Sequence, residues 1–482
     1  MKKYTIGILM FLFISLSLNA QDALSIYATM DATNAAEFQD LFPDQIEILD
    51  ANNNQAAVYL SESATHKLHD MVETHGPGYM FRASAEKALQ AIENTLDRPE
   101  SFANFSITED VLVNQCLNLV DGNNIENDIL LMEGYGTRYH TKPQAEQSVF
   151  DLQARWDVLI QAAGRTDVHT RIVNHVNTPM PSVVLTMDGA NTPDEFVIIG
   201  GHIDSTAWPS NNDAPGADDN ASGIASLTEM IRVLLDVDFV PNRTIEVMAY
   251  AAEEIGLVGS AEIAEEYANN GVDVIAYVQF DMTGYKGSSE DVYITTDSYN
   301  SASLNSYLMD LMDHYNAAGI HGFTYGTSIC NYGCSDHFSW ADNGYDAAFP
   351  FEAELGEDNP NIHSPNDVYS FFNTSDHSVK FAKLGLEFLV EVAKPEVLSV
   401  GDFSENAISI YTKDKQLNFR LENTVSDVKN VNIYNVAGQK IISETLEGQA
   451  GSISLQQFAS GFYIVQFTLE NNHVLTKKVV LN

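Results

Sequence analysis

The sequence predicts an α/β protein: a mixed, mostly parallel central sheet flanked by helices, with a small α/β unit before it and a β-sandwich after it. Three observations point there. Between residues 106 and 396, short apolar runs ("FVIIGG", "TIEVMAYAA", "VIAYVQF", "AAFPF") alternate with amphipathic stretches such as "ASLTEMIRVLLDV". That is the signature of buried, mainly parallel strands covered by helices. From residue 400 to 482 the text turns to alternating strands ("VNIYNVAG", "FYIVQFTL") punctuated by "AG", "SG" and "ENN", as in a small antiparallel domain. Finally, 482 residues with a hydrophobic fraction of 45% make a globular chain of about three domains.

Taken in order, residues 1–20 ("MKKYTIGILMFLFISLSLNA") combine two lysines, a short apolar core and a small-residue end, the pattern of a secretory signal. No later segment is apolar for long enough to span a bilayer. Residues 21–105 mix a strand ("QAAVYLS") with helical stretches ("SATHKLHDMVETHG", "SAEKALQAIENTL"); lying directly behind the signal, this unit reads as a pro-region. The middle segment, 106–396, carries the chemistry. The C-terminal segment has no cluster of acids with histidines.

Acidic residues number 67 against 24 basic ones, a formal net charge of −43. Such a surface repels nucleic acid and anionic lipid, which excludes those partners, and attracts cations. Of three cysteines, Cys330 and Cys334 in "CNYGC" can close a local disulfide outside the cytoplasm, and Cys116 reads as a small buried residue.

The ends of the apolar strands hold the candidate site. His202 follows "FVIIGG", with Asp204 two residues on; Glu253 and Glu254 follow "TIEVMAYAA"; Asp281 follows "VIAYVQF". Ligands of open α/β sheets bind outside the carboxyl ends of strands. Two loops add Asp218 and Asp219 ("APGADDNASG") and His363 ("NPNIHSPND"). Imidazole nitrogen mixed with carboxylate oxygen suits zinc, with cobalt or manganese as substitutes. Two histidines and three acids exceed one catalytic zinc site and fit two metals sharing a carboxylate. Residues 202 and 204 of an extended strand point the same way, so Asp204 can orient the ligating imidazole. Adjacent glutamates at a strand end point apart, so one can ligate while its neighbour acts as general base.

In order and spacing, "GGHIDS", "APGADDNASGIA", "MAYAAEEIGLVGS", "FDMTGYKG", "CSDHFSW" and "NPNIHSPND" resemble the M28 family of zinc aminopeptidases, and closely the secreted bacterial leucyl aminopeptidases. The resemblance spans roughly residues 106–394 and implies the zinc exopeptidase fold with two zinc ions. It implies that Asp219 bridges them, His202 and Asp281 completing one site and Glu254 and His363 the other. Glu253 would be the general base, Asp204 the orienting acid, and Asp218 structural, with a cis link to Asp219. An apolar pocket of Met282, Cys330, Tyr332, Phe349, Phe351 and Ile362 would take a large apolar N-terminal side chain, and Tyr332 would also stabilise the tetrahedral intermediate. Leu355 and Asp358 make the neighbouring loop less aromatic and more acidic than in close relatives.

The C-terminal segment resembles the sorting domain of proteins exported by type IX secretion, which would make the secretion machinery a partner. The N-terminal segment resembles inhibitory pro-regions of secreted peptidases. The expectation is a monomeric, extracellular enzyme, free or held at the cell surface, acting on peptides with a free N-terminus. Two alternatives are a carboxypeptidase or dipeptidase on the same scaffold, and a metal-containing binding protein without catalysis.

Overall fold

A computed structural model describes residues 25–481, apart from 72–77, 94–101, 103–104, 318–320, 331, 395–407, 414, 422–427, 436–438, 446–447 and 470–473. The signal sequence expected over residues 1–20 lies outside the described residues. The chain forms two compact units, up to Lys394 and from Pro395.

The first unit opens with an antiparallel sheet of Ile26–Asp31 (β1), Ile46–Ala51 (β2), Gln55–Leu60 (β3) and Met80–Arg82 (β4), in the order β2-β3-β1-β4. Asp31 ends β1 and caps the helix Ala32–Leu41, accepting from the amides of Thr33 at 2.8 Å and Asn34 at 2.9 Å. Ala28, Met30, Phe38, Val58 and Leu60 form a small core of this subunit's own.

The central sheet comprises Val168–Val173 (β5), Ser182–Met187 (β6), Thr192–His202 (β7), Arg243–Tyr250 (β8), Asp273–Gln279 (β9) and, after two further strands, Ala347–Ala348 (β12). Its order is β12-β9-β7-β8-β6-β5; the β12-β9, β9-β7 and β7-β8 pairs are parallel, and β8-β6 and β6-β5 antiparallel. The continuous apolar runs are explained by burial on both faces. Val197, Ile199 and Val247 join the core beneath the helices Gly223–Asp236 and Asp376–Ala393, whereas Ile198 and Met248 face the other way, toward Ile263 and Trp340. The run "AAFPF" is two strands rather than one. Ala347–Ala348 pairs with β9, and Pro350–Phe351 (β13) pairs with Val292–Thr295 (β10), which also pairs with Tyr325–Ser328 (β11).

Gly201 is required by close approach: a Cβ there would sit 2.4 Å from the Phe280 carbonyl oxygen. The tight contact brings the end of β7 beside the residues that follow β9. Among the described residues no helix is long and apolar enough to cross a membrane.

The second unit, taken by itself, is antiparallel throughout. Ile408–Lys413, Gln416–Leu421 and Ala450–Ser454 form one sheet; Lys440–Thr445, Val428–Asn435, Gly461–Leu469 and Val474–Leu481 form the other. Leu417, Phe419 and Ile453 from the first meet Val431, Val465 and Phe467 from the second in one core, the expected sandwich.

Candidate metal centre

Three neighbouring parallel strands deliver the expected residues to one place. His202 ends β7 and pairs in register with Tyr250, the last residue of β8; Glu253 and Glu254 follow β8, and Asp281 follows β9. The loop before the helix Gly223–Asp236 brings Asp219, and the turn after β13 brings His363. His202 Nε2 lies 3.1 Å from Asp219 and 3.1 Å from Asp281; His363 Nε2 lies 3.1 Å from Asp219 and 3.2 Å from Glu254. The side chains thus form two groups, His202–Asp219–Asp281 and Asp219–Glu254–His363, in each of which the donor atoms lie within 4.8 Å of one another. Asp219 belongs to both, one carboxylate oxygen facing each imidazole.

These residues fit metal ions. Both oxygens of Asp219 are buried and find no hydrogen-bond donor in good geometry, a costly state for a carboxylate unless a cation answers it. Each group mixes imidazole nitrogen with carboxylate oxygen, and together they hold three carboxylates, a charge suited to divalent ions. Burial works against charge on His202 and His363, yet the carboxylates around them hold both well above the usual imidazole range. Burial likewise opposes charge on Asp219, but the adjacent imidazoles hold it well below the usual carboxylate range. A cation bound at either Nε2 therefore takes the place of a proton among the same partners.

Glu253 is 1% exposed, and its Oε1 has no hydrogen-bond partner. Burial pushes its carboxyl well above the usual range; Glu254, pushed up to about 7 by burial and by Asp219, adds to this. Asp204 sits 3.4 Å from His202 Nδ1, on the side expected. Its oxygens also accept from the amides of Glu253 at 3.0 Å and Glu254 at 3.3 Å. Asp218 points away from the imidazoles: it accepts from Gly284 N at 2.9 Å, Ser222 Oγ at 3.0 Å and Asn359 Nδ2 at 3.1 Å. The cis peptide is Asp219–Asn220, one residue later than the resemblance implies.

Several supporting residues are given no role by the sequence motifs, although Asp367 and Ser335 lie within two of them. Asp367 accepts from the amides of Asp218 and Asp219, both at 3.0 Å, and so fixes the ligand turn. Ser335, inside "CSDHFSW", donates to Asp281 at 2.5 Å. Arg138, wholly buried, donates to four main-chain carbonyls around the ligand loops. Positive φ at the non-glycine residues Ala252, Met282 and His363 marks strained backbone next to Glu253, next to Asp281 and at the ligand position His363 itself, as functional sites commonly show.

The residues expected to line an apolar pocket pack as one buried hydrophobic cluster: Met282, Cys330, Tyr332, Cys334, Phe349 and Phe351, with Leu355 and Ile362 against it. It borders the centre through Met282, next to Asp281, and Ile362, next to His363. Cys330 and Cys334 are disulfide-bonded; Cys116 is buried, its thiol pushed up to about 12 by that burial.

The N-terminal sheet reaches this centre as well. Phe81 N donates to Gly256 O at 2.9 Å, and Gly256 has φ +107 and leaves 2.9 Å between a hypothetical Cβ and the Tyr79 ring. Tyr79 is buried there, within electrostatic reach of Glu253 and Glu254. Met80 packs with Leu257 and Phe338, and Arg82 pairs with Asp342 at 2.8 Å.

Residues 182–384 match the profile of peptidase family M28. A probable aminopeptidase of Saccharomyces cerevisiae is 30% identical over 306 residues, covering 62% of this chain and 79% of its own. The chain belongs to peptidase family M28. Leucine aminopeptidase 1 of Trichophyton equinum is 32% identical over 295 residues, 58% of this M28 chain and 77% of the relative. Among solved structures, LapB of Legionella pneumophila superposes with a TM-score of 0.67 at 26% identity, covering 77% of this chain and 100% of that one. The Legionella pneumophila LapA aminopeptidase gives 0.67 at 28% identity, over 77% and 99%. This M28 protein is therefore a peptide hydrolase with the fold its family implies. Residues 398–481 match a domain of unknown function.

Proposed function

We propose that this M28 aminopeptidase is a secreted, dinuclear zinc enzyme that removes a large apolar residue from peptides with a free N-terminus. One observation carries the reading: Asp219 stands between His202 and His363, 3.1 Å from each, with Glu253 beside them. His202, Asp219 and Asp281 would hold one zinc, and Asp219, Glu254 and His363 the other. Bound zinc supplies Lewis-acid polarisation of the carbonyl and a lowered pKa for water.

The chain's own groups do the rest. Glu253, buried and short of a hydrogen-bond partner, takes the proton of the attacking water and returns it to the leaving amine. Asp204 holds the amides of the Glu253–Glu254 turn and faces the His202 ring, which keeps base and ligand in register. The Met282–Phe349–Phe351 pocket excludes water and receives the N-terminal side chain, and Tyr332 in its wall donates to the developing oxyanion. Support for an exopeptidase acting at the amino end comes also from the cations. Arg138 is spent on carbonyls, and Lys286 is paired with Asp291, which leaves neither for a substrate carboxylate.

The remaining parts of the reading are these. Residues 1–20 direct export, 21–105 form a pro-region that covers the centre through Tyr79, and 106–396 form the catalytic domain. Residues 400–482 are the address read by the secretion machinery. The mature protein is an extracellular monomer.

The test is hydrolysis of leucine-p-nitroanilide beside its N-acetyl form by the processed protein, with metal content assayed. Cleavage of the free amine alone, at two zinc ions per chain, is the expected result. Zinc-loaded protein that is inert on free-amine substrates but cleaves C-terminally would transfer the reading to a carboxypeptidase. Inertness on both would leave a binding protein.

A further inference from the structure

Arg138 lies in "YGTRYHT", between the helices Gly122–Glu133 and Pro143–Ala163, and is 0% exposed. A buried guanidinium is costly unless its donors are met, and the usual partner is a carboxylate. Here the guanidinium donates to main-chain carbonyls. Nε donates to Ile203 at 2.8 Å, Nη1 to Met132 at 3.2 Å and Pro215 at 2.6 Å, and Nη2 to Gly216 at 2.8 Å. Ile203 separates His202 from Asp204, and Pro215–Gly216 lie one residue before the Asp218–Asp219 turn. The Arg138 amide itself donates to Ser205 Oγ at 3.0 Å, which passes a hydrogen bond to Ala214 O at 2.7 Å. One side chain therefore spans the strand end that presents His202 and the loop that presents Asp219.

We propose that Arg138 is the positioning residue of the metal centre, setting the separation between the His202 strand end and the Asp219 turn so that one carboxylate reaches both imidazoles. The carbonyls it binds are not those of the ligand side chains, so it sets their spacing through the backbone, while its charge also lies within electrostatic reach of Asp204, Asp219 and Glu254. The guanidinium is suited to this because its planar fork serves several acceptors in fixed directions, whereas an ammonium is a point with three rotatable donors. Gly216 is the crowded point of this arrangement: it has φ +55, and a Cβ there would stand 2.5 Å from Asp219 O, 2.5 Å from Ser205 Cβ and 2.9 Å from Nη2. The inference rests on the two-metal reading above.

The experiment is cobalt(II) titration of the metal-stripped, full-length chain, read by visible absorption, in wild type, Arg138→Lys, Arg138→Ala and Trp156→Phe. Trp156, buried in the same unit and donating to Thr228 Oγ1 at 3.1 Å, is a control for lost stability alone. Expected are a 10- to 100-fold loss of cobalt affinity in both Arg138 variants, partial rescue of Arg138→Ala by low-millimolar guanidinium but not by equal sodium chloride, and unchanged affinity in Trp156→Phe. Should the Arg138 variants not fold, Ser205→Ala, which removes the hydroxyl joining the Arg138 amide to Ala214 O and leaves every ligand in place, carries the test with a smaller loss in the same direction. Wild-type affinity in a folded Arg138→Lys or in Ser205→Ala overturns the proposal, as does an equal loss in Trp156→Phe. Wild type that binds no cobalt overturns the metal reading instead, a result distinct from either.

Discussion

Asp204 accepts a hydrogen bond from the backbone amide of Glu253 at 3.0 Å, while the same carboxylate stands 3.4 Å from the ring of His202. One acid thus ties the proposed general base to a proposed metal ligand 51 residues away, 253 minus 202. Asp204→Asn keeps the shape but weakens acceptance and puts an amide donor against donors. The expected result is a kcat lower by about 10- to 100-fold with both metals retained; wild-type kcat in a folded variant would remove Asp204 from the mechanism.

Glu253→Gln separates base from ligand. Because Glu253 is in neither donor group, the variant should bind metal as wild type does and lose about 10²- to 10⁴-fold in kcat. Parallel metal analysis and steady-state kinetics check this, and a variant that lost its metal would reassign Glu253 to ligation.

Asp219→Asn and Asp281→Asn should differ in stoichiometry rather than in degree. Asp219 serves both groups and Asp281 one, so elemental analysis should find close to no tightly held metal in the first variant and one ion per chain in the second.

A pH dependence of stability follows from His377, which is 3% exposed, donates from Nε2 to Asp291 O at 2.7 Å and lies near Lys286 and Lys380. Burial holds its pKa down at about 4, against 6.5 for the free side chain. The unfolded chain therefore takes up a proton that the folded chain refuses. The contribution is fully present above about pH 6.5 and is lost as pH falls toward 4, about 3 kcal/mol in all. Urea unfolding of wild type and His377→Asn should show their difference shrinking in wild type's disfavour over that window; a constant difference would contradict it.

Tyr79 gives the pro-region reading a sharp test. In the intact chain Tyr79→Ala should raise hydrolysis of leucine-p-nitroanilide several-fold, and in protein cleaved and freed of residues before 106 there is no residue 79 to matter. An intact wild-type chain as active as the cleaved one would show that the N-terminal sheet leaves the centre accessible.

The sequence carried the centre itself because β7, β8 and β9 are buried on both faces. A run such as "FVIIGG" then stops where His202 begins, and a polar residue at that boundary is conspicuous. Alternation along the strand puts Asp204 on the side of His202, where its carboxylate lies 3.4 Å from the ring; its grip on the Glu253 amide depends on how the turn after β8 folds back, which periodicity does not encode. Arg138 was invisible for a related reason, since its partners are carbonyls and any residue supplies a carbonyl. The break in "AAFPF" was hidden because both halves are buried, and only the pairing partners, β9 and β10, distinguish them.

The contact between Phe81 and Gly256 also bears on timing. Every strand of the N-terminal sheet lies within residues 26–82, and the first ligand is residue 202. As the chain is synthesised, the cover can fold before any part of the centre exists, and Gly256 emerges to find Phe81 already in place. On the pro-region reading, the catalytic residues would then take shape already covered, and the uncovered form would arise only after that region is removed.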